Sequence, residues 1–386
     1  MPIFTGEIKT KLPNVSESIF SKMSRLCAEK GAINLAQGFP DFGPDKALLS
    51  LCEYYFKKTN IHQYAPMPGL FSLRETISSL TYQWYSQHYN ADTEITIVPG
   101  ATAGIYAAIT ALLHEGDEII IFEPAYDSYT PAIRLQGAKP IYVTLQHPSY
   151  KIDWEQVRKL INFKTKAILI NTPNNPTGTI FNSEDMRHLE ELIKNTDIVL
   201  ISDEVYEHIV FDGYEHQSVA RYPKLAERSI IASSFGKTLH ATGWKIGYLL
   251  GPEALMKEIR KVYQFMVFSV NSPLQYAITD YLNTYSDKIN LTKFYGDKRK
   301  LFLEALKPSR FKILAPYATY FALLDYSKIS QDKDTVFAEW LIDQHLVGAI
   351  PTSVFYKDHL DHKCIRVCFA KSEETLLKAA DILCKV

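Results

Sequence analysis

A lysine lies in a loop of mostly small polar residues between two short apolar runs. The runs cover residues 230–233 and 246–250, and Lys237 follows the first of them after the sequence Ser-Ser-Phe-Gly. Apolar runs of this length bounded by turn residues are typical of buried strands, so Lys237 is predicted at the exit of a strand. Poor hydration there lowers the pKa of the amine toward neutrality, as an amine that forms an imine requires. A second cation, Lys245, precedes the next predicted strand.

Two further ionisable residues are predicted in apolar strands, where a charge needs a partner. Asp203 ends the apolar run 198–202, and its carboxylate there costs free energy unless it meets a cation or a hydrogen-bond donor. Arg366 lies in the apolar segment 363–369, and a buried guanidinium likewise requires an anion. An aspartate after a strand is also a common helix N-cap, and a buried arginine often forms a structural salt bridge. The pattern alone leaves these alternatives open.

Two turns rich in small and polar residues follow other predicted strands. Residues 100–104 open a helix after the strand 95–98, and free backbone amides at the start of a helix bind phosphate. Small residues also begin helices for packing reasons alone, and the spacings of a dinucleotide fingerprint and of a P-loop are not met. Residues 171–178, with the sequence NTPNNPTG, carry more Asn side chains than a turn requires. The second turn is therefore a candidate binding segment. The first turn could either bind phosphate or begin a helix for packing reasons alone.

The elements that must position these residues alternate between strands and helices. The predicted strands are 95–98, 119–122, 141–145, 167–171, 198–202, 230–233 and 246–250, and helices at 103–114, 154–162 and 182–194 separate several of them. This alternation predicts an α/β domain with a mostly parallel sheet, whose ligands lie beyond the carboxyl ends of the strands. Helical regions are also predicted at 16–30 and from 253 to about 286. Residues 290–386 carry a second mixed pattern, with strands at 319–324 and 364–368 and helices at 334–344 and 373–383.

The segment SSFGKTLHATGWKIGY, residues 233–248, resembles the cofactor-binding segment of class I aminotransferases that use pyridoxal 5'-phosphate (PLP). The resemblance covers nearly the whole chain and points to the branch of kynurenine aminotransferases, glutamine transaminase K and bacterial methionine aminotransferases. Many class I relatives have arginine where Lys245 stands, so the sequence departs from them and agrees with the narrower branch. The resemblance implies the fold type I of PLP-dependent transferases, with a large domain around a mostly parallel seven-stranded sheet and a smaller α/β domain.

Cofactor contacts are assigned by this resemblance. It implies that Lys237 forms the covalent bond to PLP, that Tyr126 stacks on the ring, and that Asp203 keeps the ring nitrogen protonated. A protonated nitrogen lets the ring act as an electron sink. The other cofactor-binding residues that the resemblance implies are Ala101, Thr102, Ala103 and Lys245 at the phosphate, Asn175 and Tyr206 at the 3'-oxygen, Ser234, and Tyr64 reaching the phosphate of a partner subunit.

Substrate contacts and assembly follow from the same resemblance. Arg366 is expected to clamp the α-carboxylate of the amino-acid substrate with two hydrogen bonds, and Asn175 and Gly38 are expected to contact that carboxylate. The position of Tyr64 implies a homodimer with shared active sites. The predicted domains are an N-terminal arm with part of the small domain (1–39), a large PLP-binding domain (40–285) and a C-terminal small domain (286–386).

Composition argues against several other classes of protein. The chain has 386 residues and a formal net charge of −1, which argues against a nucleic-acid surface or binding to an anionic membrane. No apolar run reaches the roughly 18 residues that cross a bilayer. The N-terminus lacks the apolar segment of a signal peptide, so a cytoplasmic location is expected. The five scattered cysteines suit a reducing compartment, and no metal site is expected.

The predicted reaction is transamination between an L-amino acid and a 2-oxo acid. The amino acid is expected to be methionine, an aromatic amino acid or kynurenine, or a glutamine-like substrate. Lys237 is expected to move the proton at the Cα of this substrate. A PLP-dependent β-lyase acting on cysteine conjugates or cystathionine would use the same cofactor residues, so this alternative stays open. A PLP-binding transcription factor would carry a DNA-binding domain in front, for which the opening residues are too few and not basic. An NAD-binding enzyme would carry the glycine fingerprint that the sequence lacks.

Overall fold

The computed structural model describes residues 2–13 and 15–386. Its strands are β1 (Ile33–Asn34), β2 (Ile95–Val98), β3 (Glu118–Glu123), β4 (Lys139–Thr144), β5 (Thr165–Asn171), β6 (Val199–Asp203), β7 (Ser229–Ser234), β8 (Gly247–Leu250), β9 (Lys312–Leu314), β10 (Phe321–Asp325), β11 (Val347–Gly348), β12 (Ile350–Pro351) and β13 (Cys364–Cys368). Its helices are α1 (Ile19–Lys30), α2 (Lys46–Phe56), α3 (Phe71–Tyr85), α4 (Ala101–Leu112), α5 (Tyr129–Leu135), α6 (Trp154–Leu160), α7 (Ser183–Ile193), α8 (Pro223–Ala226), α9 (Phe235–Thr238), α10 (Glu253–Met266), α11 (Ser272–Tyr285), α12 (Leu291–Ala305), α13 (Asp334–His345) and α14 (Glu373–Leu383).

A seven-stranded sheet has the strand order β2-β8-β7-β6-β5-β3-β4. Strands β7, β6, β5, β3 and β4 pair in parallel, whereas β8 runs antiparallel to both β2 and β7. The predicted mostly parallel α/β sheet is therefore confirmed, and each predicted strand matches its observed bounds to within about two residues, the usual precision of such assignments. Because β8 reverses direction, its first residue and the last residue of β7 lie at the same edge of the sheet. This reversal brings Lys237 and Lys245 together.

Burial on both faces explains why the strands of this sheet are continuous apolar runs. In β5, Ile168 and Ile170 belong to one buried apolar cluster, and Ala167 and Leu169 belong to another. Successive side chains of a strand point to opposite faces, so the two clusters lie on the two sides of the sheet. Helices cover both faces, and the polar ends of the strands are left as the accessible edge.

The helical region predicted from 253 to about 286 consists of two helices, α10 and α11. Asn271 caps the second helix by accepting a hydrogen bond from the amide of Leu274 at 2.9 Å, and Pro273 lies in its first turn. An N-cap followed by proline is a strong helix start, which explains the break. Helix α11 packs against α2 and α3. The helix predicted from residue 16 begins later, at Ile19.

The C-terminal part is built on a four-stranded sheet of order β12-β13-β10-β9, in which all pairs are antiparallel. The N-terminal segment joins it, because β1 pairs in parallel with β11 and Met23 and Leu35 belong to the same apolar cluster as Phe337 and Val367. Strand β1 was not predicted from the sequence. The division of the chain into domains stays a prediction.

Three properties of the described residues bear on the class of protein. None of their helices is long and apolar enough to cross a membrane. Within the same residues, no group of three or more His, Cys, Asp or Glu side chains is arranged to hold a metal ion. All five cysteines are free thiols.

Candidate active site

A cavity of about 390 Å³ lies at the carboxyl edge of the seven-stranded sheet. All but two of the predicted site residues line it, namely Gly38, Ala101, Thr102, Tyr126, Asn175, Asp203, Tyr206, Ser234, Lys237, Lys245 and Arg366. The two exceptions are Ala103 and Tyr64. Residues separated by more than 300 positions in the chain thus meet in one place, where three parallel strands end.

Lys237 lies on α9, a single helical turn directly after β7. Its Nζ atom donates to the hydroxyl of Tyr320 at 2.8 Å and to the carbonyl of Gly38 at 3.2 Å. Burial lowers the pKa of the amine to about 8, and the positive charges of Arg366 and Lys245 act in the same direction. The direction agrees with the lowered pKa that the sequence predicts, and about one tenth of the amine is neutral at pH 7.

Asp203 is the last residue of β6, and its side chain is buried. Its carboxylate accepts a hydrogen bond from the Tyr129 hydroxyl at 2.5 Å and a long one from the amide of Val205 at 3.4 Å. Burial raises the pKa of this carboxyl to about 6, although the Tyr129 bond and the charge of Lys237 oppose the rise. A turn and not a helix follows Asp203, so the helix N-cap alternative is wrong.

Arg366 lies in the middle of β13 with only 1% of its surface exposed. Its Nη1 atom donates to Oδ1 of Asn175 at 2.6 Å, and its Nη2 atom donates to the carbonyl of Ala36 at 2.8 Å. Both acceptors are neutral, so neither is the carboxylate that a structural salt bridge requires. The buried Nε atom has no hydrogen-bond partner among the described residues. The ring of Phe321 lies 4.0 Å from the guanidinium carbon and supports one face of the group.

The start of α4 faces the cavity without a side-chain cap. Its N-cap is Gly100, with φ of +84°, and a Cβ atom built there would lie 3.0 Å from Nζ of Lys245. Glycine therefore provides both the backbone conformation and the space for the ammonium group. Unpaired helix amides beside a cation form an anion-binding site. The amide of Ala103 donates to the carbonyl of Gly100 at 3.2 Å, so the helix itself uses it.

The turn after β5 is tied to the end of β6 by one side chain. Asn171 accepts a hydrogen bond from the amide of Asn175 at 2.9 Å and donates from Nδ2 to the backbone carbonyl of Asp203 at 3.0 Å. This bridge fixes Asn175 relative to Asp203 before any ligand binds. Tyr206 is 3% exposed and Tyr126 is half-buried, and both line the cavity.

Tyr64 lies outside the cavity and is 82% exposed. Its ring packs edge-on against Phe268 with the centroids 5.4 Å apart. Within one subunit, therefore, Tyr64 does not reach the other predicted site residues.

Several residues of the site were not found from the sequence. The most important are Tyr129, Asn171 and Tyr320, whose polar atoms hold Asp203, Asn175 and Lys237. Tyr129 carries a signal, since it lies three positions after Tyr126 at a predicted ligand-binding edge. A turn before α5, in which the amide of Tyr129 donates to the carbonyl of Tyr126 at 3.2 Å, brings the two rings into contact. No sequence pattern distinguishes Tyr320 from the other tyrosines. Further lining residues absent from the prediction are Ser18, Phe20, Asp127, Thr242 and Phe321.

Comparisons with known proteins agree with this geometry. The family model for aminotransferases of class I and II matches residues 30–383. A methionine aminotransferase of Escherichia coli (strain K12) is 46% identical over 377 residues, covering 97% of each chain. A kynurenine–oxoglutarate transaminase of Dictyostelium discoideum is 33% identical over 424 residues, covering 99% of this chain and 97% of its own.

Among solved structures, an Escherichia coli protein described as having a methionine aminotransferase function superimposes with a TM-score of 0.96 at 44% identity, and the whole of both chains is covered. The family match extends over most of the chain, and one cavity brings together Lys237, Asp203 and Arg366. The chain therefore belongs to the class I and II aminotransferases, PLP-dependent enzymes that transfer an amino group between an amino acid and a 2-oxo acid.

Proposed function

We propose that the protein transaminates an L-amino acid with an uncharged thioether or aromatic side chain, with a 2-oxo acid as the amino acceptor. The observation that carries the proposal is the buried guanidinium of Arg366, whose Nε atom lacks a partner among the described residues and which lies in one cavity with Lys237. A carboxylate bound there satisfies the free donor and turns the α-amino group toward the cavity. The name of the 46% identical relative, methionine aminotransferase, supports the choice of substrate.

The walls of the cavity support an uncharged substrate side chain. Phe20, Tyr126 and Phe321 contribute aromatic surface. Arg366 is the only arginine among the described residues that line the cavity, so a second carboxylate finds no second guanidinium there. Methionine and aromatic side chains bury apolar area against such walls and need no counter-charge.

The residues of the cavity fit PLP. The uncapped start of α4 with Lys245 would hold the phosphate, and Asp203 would hold the pyridine nitrogen. A buried carboxyl whose pKa is raised by burial gains free energy from a cationic partner, which a protonated ring nitrogen provides. Lys237 would form the covalent bond, and the other predicted contacts are Thr102, Ala101 and Ala103 at the phosphate, Asn175 and Tyr206 at the 3'-oxygen, Ser234, and Tyr126 on the ring. When bound, PLP supplies an electron sink for the negative charge that develops at the substrate Cα.

The chain's own groups perform three tasks in the proposed reaction. Arg366 and Asn175 orient the α-carboxylate, with Gly38 beside them. Lys237 accepts the proton from the substrate Cα and returns it, because its pKa of about 8 lets it act as base and then as acid near neutral pH. A substrate packed against Phe20 and Phe321 would displace water from the cavity, which would limit protonation of its Cα by solvent.

A homodimer with shared active sites is part of the proposal. Tyr64 carries an exposed ring that contacts Phe268. Phe265 and Phe268, at and just beyond the end of α10, are 87% and 50% exposed. Exposed aromatic residues grouped in this way are typical of a protein interface. A partner subunit covering them would bring its own Tyr64 to the phosphate end of this cavity.

The remaining parts of the proposal concern organisation and location. We place an N-terminal arm at 1–39, the large PLP-binding domain at 40–285 and the small domain at 286–386. The five free thiols, four of them buried, support the reducing environment of the cytoplasm.

The decisive experiment measures single-turnover rates with a panel of amino acids and then turnover with and without a 2-oxo acid. Methionine and aromatic amino acids should react at least about tenfold faster than aspartate or glutamate, since the described residues of this chain bring no second guanidinium to the cavity. Turnover of a cysteine conjugate or cystathionine that continues without a 2-oxo acid and releases pyruvate, ammonia and the free thiol would instead identify a β-lyase, the alternative that the same cofactor residues permit.

A further inference from the structure

We infer that Tyr320 is a positioning residue for the amine of Lys237 and sets its protonation. Three atoms meet at this point, and each separation is within hydrogen-bond range. Nζ of Lys237 lies 2.8 Å from the Tyr320 hydroxyl, the hydroxyl lies 2.7 Å from the carbonyl of Gly38, and Nζ lies 3.2 Å from the same carbonyl. The inference rests on the proposed role of Lys237 as the carrier of the Cα proton.

The direction of these bonds follows from the chemistry of the three groups. A carbonyl oxygen only accepts, so the hydroxyl of Tyr320 donates its single proton to Gly38. The lone pairs of the hydroxyl are then left to accept from Lys237. Burial and the neighbouring phenol of Tyr206 raise the pKa of Tyr320 well above its ordinary value, so the phenol keeps its proton at any working pH.

Two properties of the Lys237 amine depend on this contact. First, an acceptor at 2.8 Å orients the amine, because Tyr320 is fully buried and its ring is fixed between Tyr206 and Tyr295. Second, an acceptor stabilises the protonated amine more than the neutral one and therefore raises its pKa relative to an apolar neighbour. Tyr320 thus opposes part of the effect of burial on Lys237.

Gly38 belongs to the segment of residues 37–38, here called the covering segment, which lines the cavity next to Lys237. A Cβ atom at Gly38 would lie 2.7 Å from Cζ of Phe321, so the covering segment packs directly against the residue that follows Tyr320. The proton of Tyr320 is directed away from Lys237 only while the Gly38 carbonyl accepts it in a hydrogen bond. The covering segment and the orientation of the amine are therefore linked through one hydroxyl group.

The test compares Tyr320→Phe with Tyr295→Phe in the holoenzyme. Tyr295 is the matched control, since it is equally buried, its ring lies 5.4 Å from that of Tyr320, and its hydroxyl bonds to none of the described residues. Other ionisable groups that act on Lys237 are Cys368, Arg366, Lys245 and Asp203, and both variants keep all of them.

Incubation with excess amino-acid donor and no 2-oxo acid leaves Lys237 unattached to the cofactor. Labelling of Lys237 by an amine-reactive reagent is then followed by peptide mass spectrometry across a pH series. The labelling midpoint should fall by about half to one pH unit in Tyr320→Phe and stay at the wild-type value in Tyr295→Phe. The primary isotope effect with an α-deuterated donor should increase only in Tyr320→Phe, because proton transfer becomes slower there.

A wild-type midpoint and a wild-type isotope effect in Tyr320→Phe would overturn the inference and leave Tyr320 as a packing residue. Should that variant not fold, a crystal structure of the wild-type enzyme with excess donor decides the question. Nζ and the hydroxyl must lie within about 3.2 Å, and a separation beyond about 4 Å overturns the inference. Borohydride trapping on wild type reports separately on the proposed function, since cofactor attached to a different lysine refutes that function whatever Tyr320 does.

Discussion

Nη1 of Arg366 donates to Oδ1 of Asn175 across 2.6 Å, although the two residues are 191 positions apart in the chain. Arg366 belongs to strand β13 of the four-stranded sheet, and Asn175 follows strand β5 of the seven-stranded sheet. The bond uses one donor of the guanidinium, and the buried Nε atom bonds to none of the residues that the structure describes. The cation is thus oriented before a substrate arrives, which lowers the entropy cost of binding a carboxylate.

Replacement of Arg366 by lysine should weaken substrate binding and leave the cofactor intact. The charge is kept, but the planar contact is lost, so the cost should be below the roughly 2–5 kcal/mol for removal of a buried charged partner. Both half-reactions should slow together, since amino acid and oxo acid share the carboxylate. Single-turnover kinetics with an amino acid and its decarboxylated amine provide the check. Equal losses with both substrates would assign Arg366 a structural role.

Lys237→Ala should lower turnover by several orders of magnitude, because Lys237 is the group that we propose carries the Cα proton. Purified wild-type protein should be yellow, and reduction with borohydride should fix the cofactor to the peptide that contains Lys237. Near-normal rates in Lys237→Ala contradict this assignment. Lys245→Ala is a useful comparison, because it should lower PLP affinity and still permit trapping on Lys237.

Asp203→Asn keeps the shape of the side chain and removes the charge that would hold the ring nitrogen protonated. The half-reaction should slow by about 10²-fold or more, whereas PLP affinity should fall much less. Stopped-flow rates and equilibrium titration with PLP measure the two quantities. Parallel losses in rate and affinity point to a structural aspartate.

Lys237→Met should stabilise the protein when it is freed of cofactor. The pKa of Lys237 is lowered from 10.5 to about 8, so between these values the unfolded chain binds more protons than the folded one and stability rises with pH. Below pH 8 the wild type bears the full cost of a buried ammonium, and the variant should be more stable by about 3 kcal/mol. The difference should shrink from pH 8 to 10.5. Urea unfolding at several pH values measures it, and a difference independent of pH would show that Lys237 titrates normally.

The shared active site can be tested by mixing two inactive variants. Tyr64→Ala loses a contact to the partner's cofactor, and Lys237→Ala loses the catalytic amine. In a mixed dimer one site carries both changes and the other carries neither, so random mixing should recover about one quarter of wild-type activity. No recovery after subunit exchange would mean that Tyr64 serves the active site of its own subunit.

Local sequence patterns were sufficient for the strands that carry the site. Strands 95–98 and 364–368 were predicted with the bounds that the structure has, because continuous apolar runs bounded by turn residues identify buried strands. The same runs placed Asp203 and Lys237 at the carboxyl ends of strands. Because ligands of parallel sheets bind beyond these ends, the two residues were predicted to share one site.

Contacts between distant side chains could not be predicted in this way. Tyr129 and Tyr320 are two of 24 tyrosines, and nothing in the neighbouring residues states where a hydroxyl group points. Strand β1 has only two residues and pairs with β11 more than 300 positions later, so it leaves no periodic pattern. The proposed role of Tyr64 needs a second subunit, and within this chain the surface around it is marked only by exposed aromatic residues.

The pairing of β1 with β11 has a consequence for the newly made chain. Helix α1 emerges from the ribosome first, yet the helix it packs against, α13, follows about 300 residues later. At about 5–20 residues per second, that interval lasts about 15 to 60 seconds. Apart from β2 and β8, neighbouring strands of the seven-stranded sheet begin within about 50 residues of one another and emerge within about 10 seconds at the same speed. The apolar face of α1, with Met23 and Cys27, therefore remains uncovered through most of translation and is a surface for chaperones to hold.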